Sequence, residues 1–368
     1  MHLLEGQMIP TGSLAKSAEI IEQAARLREV SSVGRSLVHA AQGMGSDLSA
    51  ALERIRGIDE TLDAATQTRG RTVDGWTGLM QATQEAYAAP ISTGFHTVDR
   101  VLRLCPGHLL VIGGRPGSGK TTLALQIALQ MLGLDRDAVA LFASCEMEAS
   151  AMAMKAASCL ASADLVTPIR SGENEPTAAA LETAMRHRHV IERLHVLPAR
   201  SMSDITTQAH RMRRQGKLAV VVVDYLQAMS APGGGNHETR SREVGAVSRA
   251  CKVLAMDCKT LVVAAAQLNR GSADGRRPGL SDLRDSGEIE QDAEACVLIH
   301  RPEAKDGEPE TCDLIVAKNR WGEQGALSLR PNLAAHRFEE QAKRFATPEA
   351  ARAAREASTN WWNEGAEK

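Results

Sequence analysis

The chain has 368 residues, of which 43% are hydrophobic and 24% charged, and a formal net charge of −2. This is enough for one large globular α/β domain and a smaller appendage, and the near-neutral charge excludes nucleic-acid binding through a generally basic surface. Seven scattered cysteines without a C-x-x-C pair speak against a disulfide scaffold or zinc site. With no signal-peptide pattern and no apolar run near 18 residues, a soluble cytoplasmic protein with no membrane contact is expected.

In chain order, residues 1–70 lack β-branched runs and repeat apolar residues at helical spacing, as in Leu48, Ala51, Leu52, Ile55, Ile58 and Leu62. They predict a small all-α N-terminal module, either a structural bundle or a device that docks a partner. Residues 71–90 read as a linker helix, with Trp76, Leu79, Met80, Thr83 and Tyr87 near one face, ended by Pro90 and Gly94. Residues 91–340 alternate strands and helices, the pattern of an α/β domain with a mostly parallel central sheet flanked by helices. Strands are predicted at 109–113, 138–144, 195–198, 218–224, 260–267, 295–300 and 313–318, and a helix at 121–132. The continuous apolar run at 219–223 suits a strand buried on both faces. The tail, 341–368, is expected to be helical or flexible, with Trp361 and Trp362 either packing back or anchoring a partner.

The strand at 109–113 runs into Gly114, Arg115, Pro116, Gly117, Ser118, Gly119, Lys120 and Thr121, which fit G-x-x-x-x-G-K-[ST] without a mismatch. Such a loop wraps phosphates in backbone N–H groups, puts Lys120 on the β/γ oxygens and offers the Thr121 hydroxyl to Mg²⁺. The helix that follows, with Thr122 in its first turn, presents its positive end to the same anion. Composition alone produces this pattern in about one chain of this length in a hundred, so an ordinary Gly-rich turn is set aside and a nucleoside triphosphate is expected.

Hydrolysis needs more charged groups. Asp224 closes the strand after 218–223, where a second, metal-holding carboxylate belongs beside Thr121. Glu146 follows the strand at 138–144, on the edge that carries Lys120. It is either the base that activates water or an acid favoured by a helix N-terminus. Gln267 ends the strand at 260–267 and either senses the γ-phosphate or satisfies a loop. Lys318 and Arg320 stand two apart at a strand end, so both side chains lean to one side. They are either fingers reaching into a neighbour's site or solvated charges.

With these residues placed, the chain resembles the motor domain of DnaB-type replicative DNA helicases, a hexameric branch of the RecA-like P-loop NTPases, over about residues 90–338. The resemblance rests on 92–100 (STGFHTVDR), the phosphate loop, 144–147 (SCEM), 223–227 (VDYLQ), 266–270 (AQLNR), 281–293 (SDLRDSGEIEQDA) and 317–322 (AKNRWG). It implies a RecA-like fold, ATP and Mg²⁺, and a ring, most often of six, that moves 5′→3′ on single-stranded DNA. Roles follow by position: Glu146 as catalytic carboxylate, Asp224 as metal-linked acid, Gln267 as coupler, and Lys318 and Arg320 on the next subunit's γ-phosphate. Arg284, Asp285 and Gly287 fall where the family holds the single strand, which reconciles DNA binding with a near-neutral charge. A primase or helicase loader is the implied partner. The sequence departs from the family in its reduced N-terminal region, in Asp285 where Glu is commoner, and in Asn319 and Trp321 flanking Arg320. Two other readings of the same residues are a RecA-like recombination or repair ATPase and a non-hydrolysing adaptor in a replication or defence complex.

Overall fold

The computed structural model describes residues 91–171, 178–232, 240–269, 276–283, 286–302 and 310–340, together with Gly75, Trp76 and Met80. The chain divides into two compact units, Met1–Glu85 and Ala86–Lys368. In the first, Gly75, Trp76 and Met80 are helical. The rest of the expected linker helix, the module at 1–70 and the tail at 341–368 lie outside the described residues.

In the second unit the described residues form one sheet in the order β3-β2-β4-β5-β1-β6-β7-β8-β9. Its strands are β1 (Leu109–Gly114), β2 (Ala138–Ser144), β3 (Leu194–Pro198), β4 (Lys217–Asp224), β5 (Leu261–Gln267), β6 (Ala295–His300), β7 (Cys312–Asn319), β8 (Gly325–Asn332) and β9 (Arg337–Glu340). The first six in sequence are mutually parallel; β7, β8 and β9 continue the sheet antiparallel from β6.

Period-two geometry explains why the central strands read as unbroken apolar runs. Leu110, Ile112, Val220 and Val222 enter one core with the helices His96–Leu102, Lys120–Leu134 and Ala149–Ala161. Leu109, Val111, Val221 and Val223 enter the other, with the helices Met202–Gln215 and Arg240–Cys258. Every residue of β1 is buried, so the strand carrying the phosphate loop is packed on both faces. Among the described residues, no helix is long and apolar enough to cross a membrane.

The seven expected strands are present within about a residue at each end, and the helix expected at 121–132 spans Lys120–Leu134. Strands β8 and β9 were not expected. In β8 buried Leu327 and Leu329 alternate with half-buried or exposed neighbours, and β9 has four residues of which three are charged. This hairpin is nevertheless bound to the helix of the phosphate loop. Gln126, 2% exposed, donates its side-chain N–H to the Phe338 carbonyl (2.9 Å), and its Oε1 accepts the Phe338 N–H (2.7 Å). Phe338 lies so close beneath Gly119 that a Cβ there would be 2.6 Å from its ring. Glu340 in turn accepts the N–H groups of His96 (3.0 Å) and Thr97 (2.7 Å) at the start of the helix His96–Leu102. Gln126→Leu keeps the side chain's bulk but strands one buried donor and one buried acceptor. A loss of about 1–3 kcal/mol is expected, read as an earlier midpoint in urea; an unmoved midpoint would show that this clamp contributes nothing.

Candidate functional site

The register of the parallel strands gathers the candidate residues on one edge. Gly114 ends β1 opposite Gln267 of β5, and Ser144 ends β2 opposite Asp224 of β4, with β4 and β5 adjacent. The loop between β1 and its helix turns through Gly117 (φ +73°) and Gly119 (φ +100°), conformations that side-chain-bearing residues avoid. Gly114 is required by close approach instead, since a Cβ there would lie 2.3 Å from Ser118 Oγ.

Above this edge opens a cavity of about 510 Å³, within the roughly 300–1,000 Å³ typical of small-molecule sites. Pro116, Gly117, Gly119, Lys120, Thr121 and Thr122 of the loop and its helix form its floor, and Glu146, Asp224 and Gln267 also line it. Gly114 and Ser118 do not line this cavity; Ser118 lines a second one, of about 320 Å³. Arg115 contributes its carbonyl, which accepts from Lys120 Nζ (2.9 Å), and also lines the second cavity.

Thr121 Oγ1 donates to Asp224 Oδ2 (2.9 Å). Burial pushes the Asp224 carboxyl above the usual range; the Thr121 hydroxyl and Lys120 oppose this, and the charge of Glu146 adds to it. Burial likewise pushes the Lys120 ammonium below its ordinary value, against Asp224 and Glu146. These hard oxygens suit Mg²⁺, which commonly takes one or two protein oxygens and completes its shell with phosphates and water. A carboxyl raised in the folded state binds protons there that the unfolded chain does not. Its contribution to stability is therefore full at low pH and is lost as pH rises through the raised value. At neutral pH, ionised Asp224 costs stability. Asp224→Asn is expected to raise the melting temperature of the nucleotide-free protein by about 2–4 °C, equivalent to about 1 kcal/mol. The further rise expected of the parent with Mg²⁺ and nucleotide should be absent from this variant. Differential scanning calorimetry with and without Mg²⁺ checks both; a lower melting temperature refutes the first.

Glu146 sits in the turn after β2, where Ser144 Oγ accepts the N–H groups of Glu146 (3.4 Å) and Met147 (3.2 Å). The next helix begins at Ala149 with Glu148 as N-cap, so Glu146 is not in its first turn and the helix-end reading is corrected. Burial, then the neighbouring charge of Glu146, hold the pKa of the Tyr225 hydroxyl up. The Gln267 backbone is gripped by Gln227, whose Oε1 accepts the Gln267 N–H (3.0 Å) and whose amide donates to its carbonyl (3.3 Å). Gln267 itself lines the cavity.

Four cavity residues escaped the sequence reading: Lys155, Tyr225, Leu333 and His336. Lys155 was detectable as the lone charge in the helix Ala149–Ala161; burial pushes its ammonium down, opposed by Asp224. Leu333 and His336 belong to the turn between the unexpected strands β8 and β9.

Lys318 and Arg320 are elsewhere. Antiparallel pairing sets Lys318 beside Cys296 and Asn319 beside Ala295, at the start of β6, whereas Gly114 pairs with Ile299 near its end. Four residues of strand, about 13 Å, therefore separate the pair from the edge carrying the loop. Both lean the same way, as expected. Lys318 Nζ donates to the carbonyls of Glu290 and Ala293, and Arg320 to the Gln291 carbonyl and Glu294 Oε1 (3.3 Å each). The alternative of two merely solvated charges is corrected, since both are hydrogen-bonded. Gly287 is exposed in the helix Ser286–Asp292; Arg284 and Asp285 lie outside the described residues.

Residues 90–340 match the family of the DnaB-like helicase C terminal domain. The replicative DNA helicase DnaB of Leifsonia xyli subsp. xyli is 32% identical over 341 residues, covering 88% of this chain and 73% of that protein. Its counterpart from Haemophilus influenzae is 29% identical over 349 residues, covering 89% and 74%. Among solved structures, a DnaB-like replicative helicase studied with its interactions with primase superposes with a TM-score of 0.70 at 21% identity, over 91% of this chain and 80% of that one, and shares the fold.

Proposed function

This chain belongs to the DnaB-like helicase family and is an ATP-driven DNA helicase of the replicative type; we propose that it works as a head-to-tail ring whose nucleotide sites are each completed by the next subunit. The observation that carries this reading is the split of the charged residues between two edges of one sheet. Lys120, Thr121, Asp224 and Glu146 face the cavity, while Lys318 and Arg320 stand at the opposite edge of the same chain. A closed ring of identical subunits brings one edge to the other at every interface. Six subunits, 5′→3′ movement on single-stranded DNA through Arg284, Asp285 and Gly287, and cytoplasmic work beside a primase or loader complete the proposal.

The chemistry follows from the arrangement. Lys120 and the loop N–H groups hold the phosphates of ATP. Thr121 and Asp224 would hold Mg²⁺, which would neutralise negative charge on the phosphates. Glu146, whose turn is held by the Ser144 hydroxyl, takes the proton of the attacking water as it approaches the γ-phosphorus in line. Lys318 and Arg320 of the preceding subunit neutralise charge on the transferred group. Gln267, at the end of β5, links the γ-phosphate to the segment that follows it, so each nucleotide state shifts the grip on DNA.

Unwinding of a forked duplex with ATP, run beside native mass measurement, tests the reading. Strand separation by a ring is expected. Filaments without unwinding would make it a recombinase, and absence of DNA-stimulated turnover in every oligomeric state would make it an adaptor.

A further inference from the structure

We infer that Glu294 is a positioning residue for the arginine that acts in trans: its buried carboxylate fixes the Arg320 guanidinium to the frame of its own subunit. The inference rests on the proposed role of Arg320 in the neighbouring site.

Glu294 is 3% exposed and lies between the helix Ser286–Asp292 and β6. One carboxylate oxygen accepts the N–H of Leu109, the first residue of β1 (2.9 Å). The other accepts from Lys252 Nζ (2.9 Å) and from Arg320 (3.3 Å). Its backbone joins the same two neighbours: the Glu294 N–H donates to the Leu109 carbonyl (3.0 Å), and its carbonyl accepts the Arg320 N–H (2.9 Å). Lys252 extends the frame to the Gly107 carbonyl (3.0 Å). One side chain and its peptide group therefore tie Arg320 to the start of the buried strand whose other end is the phosphate loop.

The Arg320 side chain itself is 48% exposed. Guanidinium carries five N–H donors, and its contacts with Glu294 and the Gln291 carbonyl engage two of its nitrogens. The remainder can meet an acceptor from outside the subunit. An arginine left to itself samples many rotamers, and a displacement of about 1 Å at a reacting group can cost 10²-fold in rate. Glu294 restricts that search by holding one side of a group whose other side is presented outward. The Lys252 ammonium keeps the carboxylate shared, so Arg320 is held without being fully neutralised.

The test separates a role through the finger from a role in the subunit's own strand. Glu294→Gln rings are expected to lose about 10–100-fold in kcat for ATP, with KM changed less than about threefold, because the cavity is at the other edge. Rings are then co-assembled from Glu294→Gln subunits and an excess of Lys120→Ala subunits, which have an intact Arg320 but no working loop. Turnover per Glu294→Gln subunit should return to within about threefold of the parent, since its loop is now served by a well-held neighbouring arginine. No return, while Arg320→Ala subunits are rescued by the same partner, would overturn the role of Glu294 alone. Failure to rescue Arg320→Ala as well would overturn the trans reading beneath it. Undiminished kcat in Glu294→Gln rings also sinks the inference. If the unpaired Lys252 prevents that variant from assembling, Glu294→Gln with Lys252→Met removes both charges and takes its place in every arm.

Discussion

Glu146→Gln is expected to lower DNA-stimulated ATP hydrolysis by about 10²–10⁴-fold, the usual contribution of a general base, while nucleotide still binds. The turn after β2 is held by the Ser144 hydroxyl accepting the Glu146 and Met147 N–H groups, so it should keep its form, and the amide has the shape of the carboxylate. It cannot take a proton from water. Lys120, Thr121 and Asp224 are untouched, and the cavity floor depends on none of Glu146's atoms. A fluorescent-nucleotide titration beside a phosphate-release assay checks both halves: affinity within about threefold of the parent, turnover near background. Turnover close to the parent's would move the base to another group.

What was legible in the sequence was whatever a single element carries. β1, β4 and β5 are buried on both faces, so their apolar runs stand out, and the residues closing them, Gly114, Asp224 and Gln267, can be placed on one edge from the sequence. The phosphate loop is contiguous and carries its own spacing. Strands β8 and β9 lie at the end of the sheet with one face half-covered, and in β9 the apolar signal is reduced to Phe338. Their loss hid Leu333 and His336, which line the cavity from a hairpin that Gln126 ties to the loop helix through Phe338. Tyr225 lines the cavity together with Glu146, which follows a strand distant in sequence, so no spacing signalled a role for it. Glu294 was an unremarked acid between two alanines; that it is buried and shared by Leu109, Lys252 and Arg320 is a fact of packing alone. Side chains that converge from separate elements leave no spacing to read.

Arg320→Ala is expected to lower kcat by about 10³–10⁵-fold, the range for an arginine acting on a phosphoryl group from a neighbouring subunit, and to leave nucleotide affinity nearly unchanged. A dead variant alone does not say whose site has failed. The distinction comes from mixing it with Lys120→Ala, which is dead for the opposite reason. If both residues served one subunit's site, every mixed ring would be inactive. With the loop on one edge of the sheet and Arg320 about 13 Å or more away at the other, the two defects fall on different interfaces. A ring assembled at random from equal amounts then has about one interface in four that pairs an intact loop with an intact arginine. Hydrolysis should recover toward that fraction of the parent's rate, and titrating the ratio should trace a maximum at equal amounts. Activity that stays at background at every ratio, in rings shown by native mass measurement to be mixed, would place Arg320 outside the neighbour's chemistry. It would leave the hydrogen bonds to Glu294 and Gln291 as its whole role.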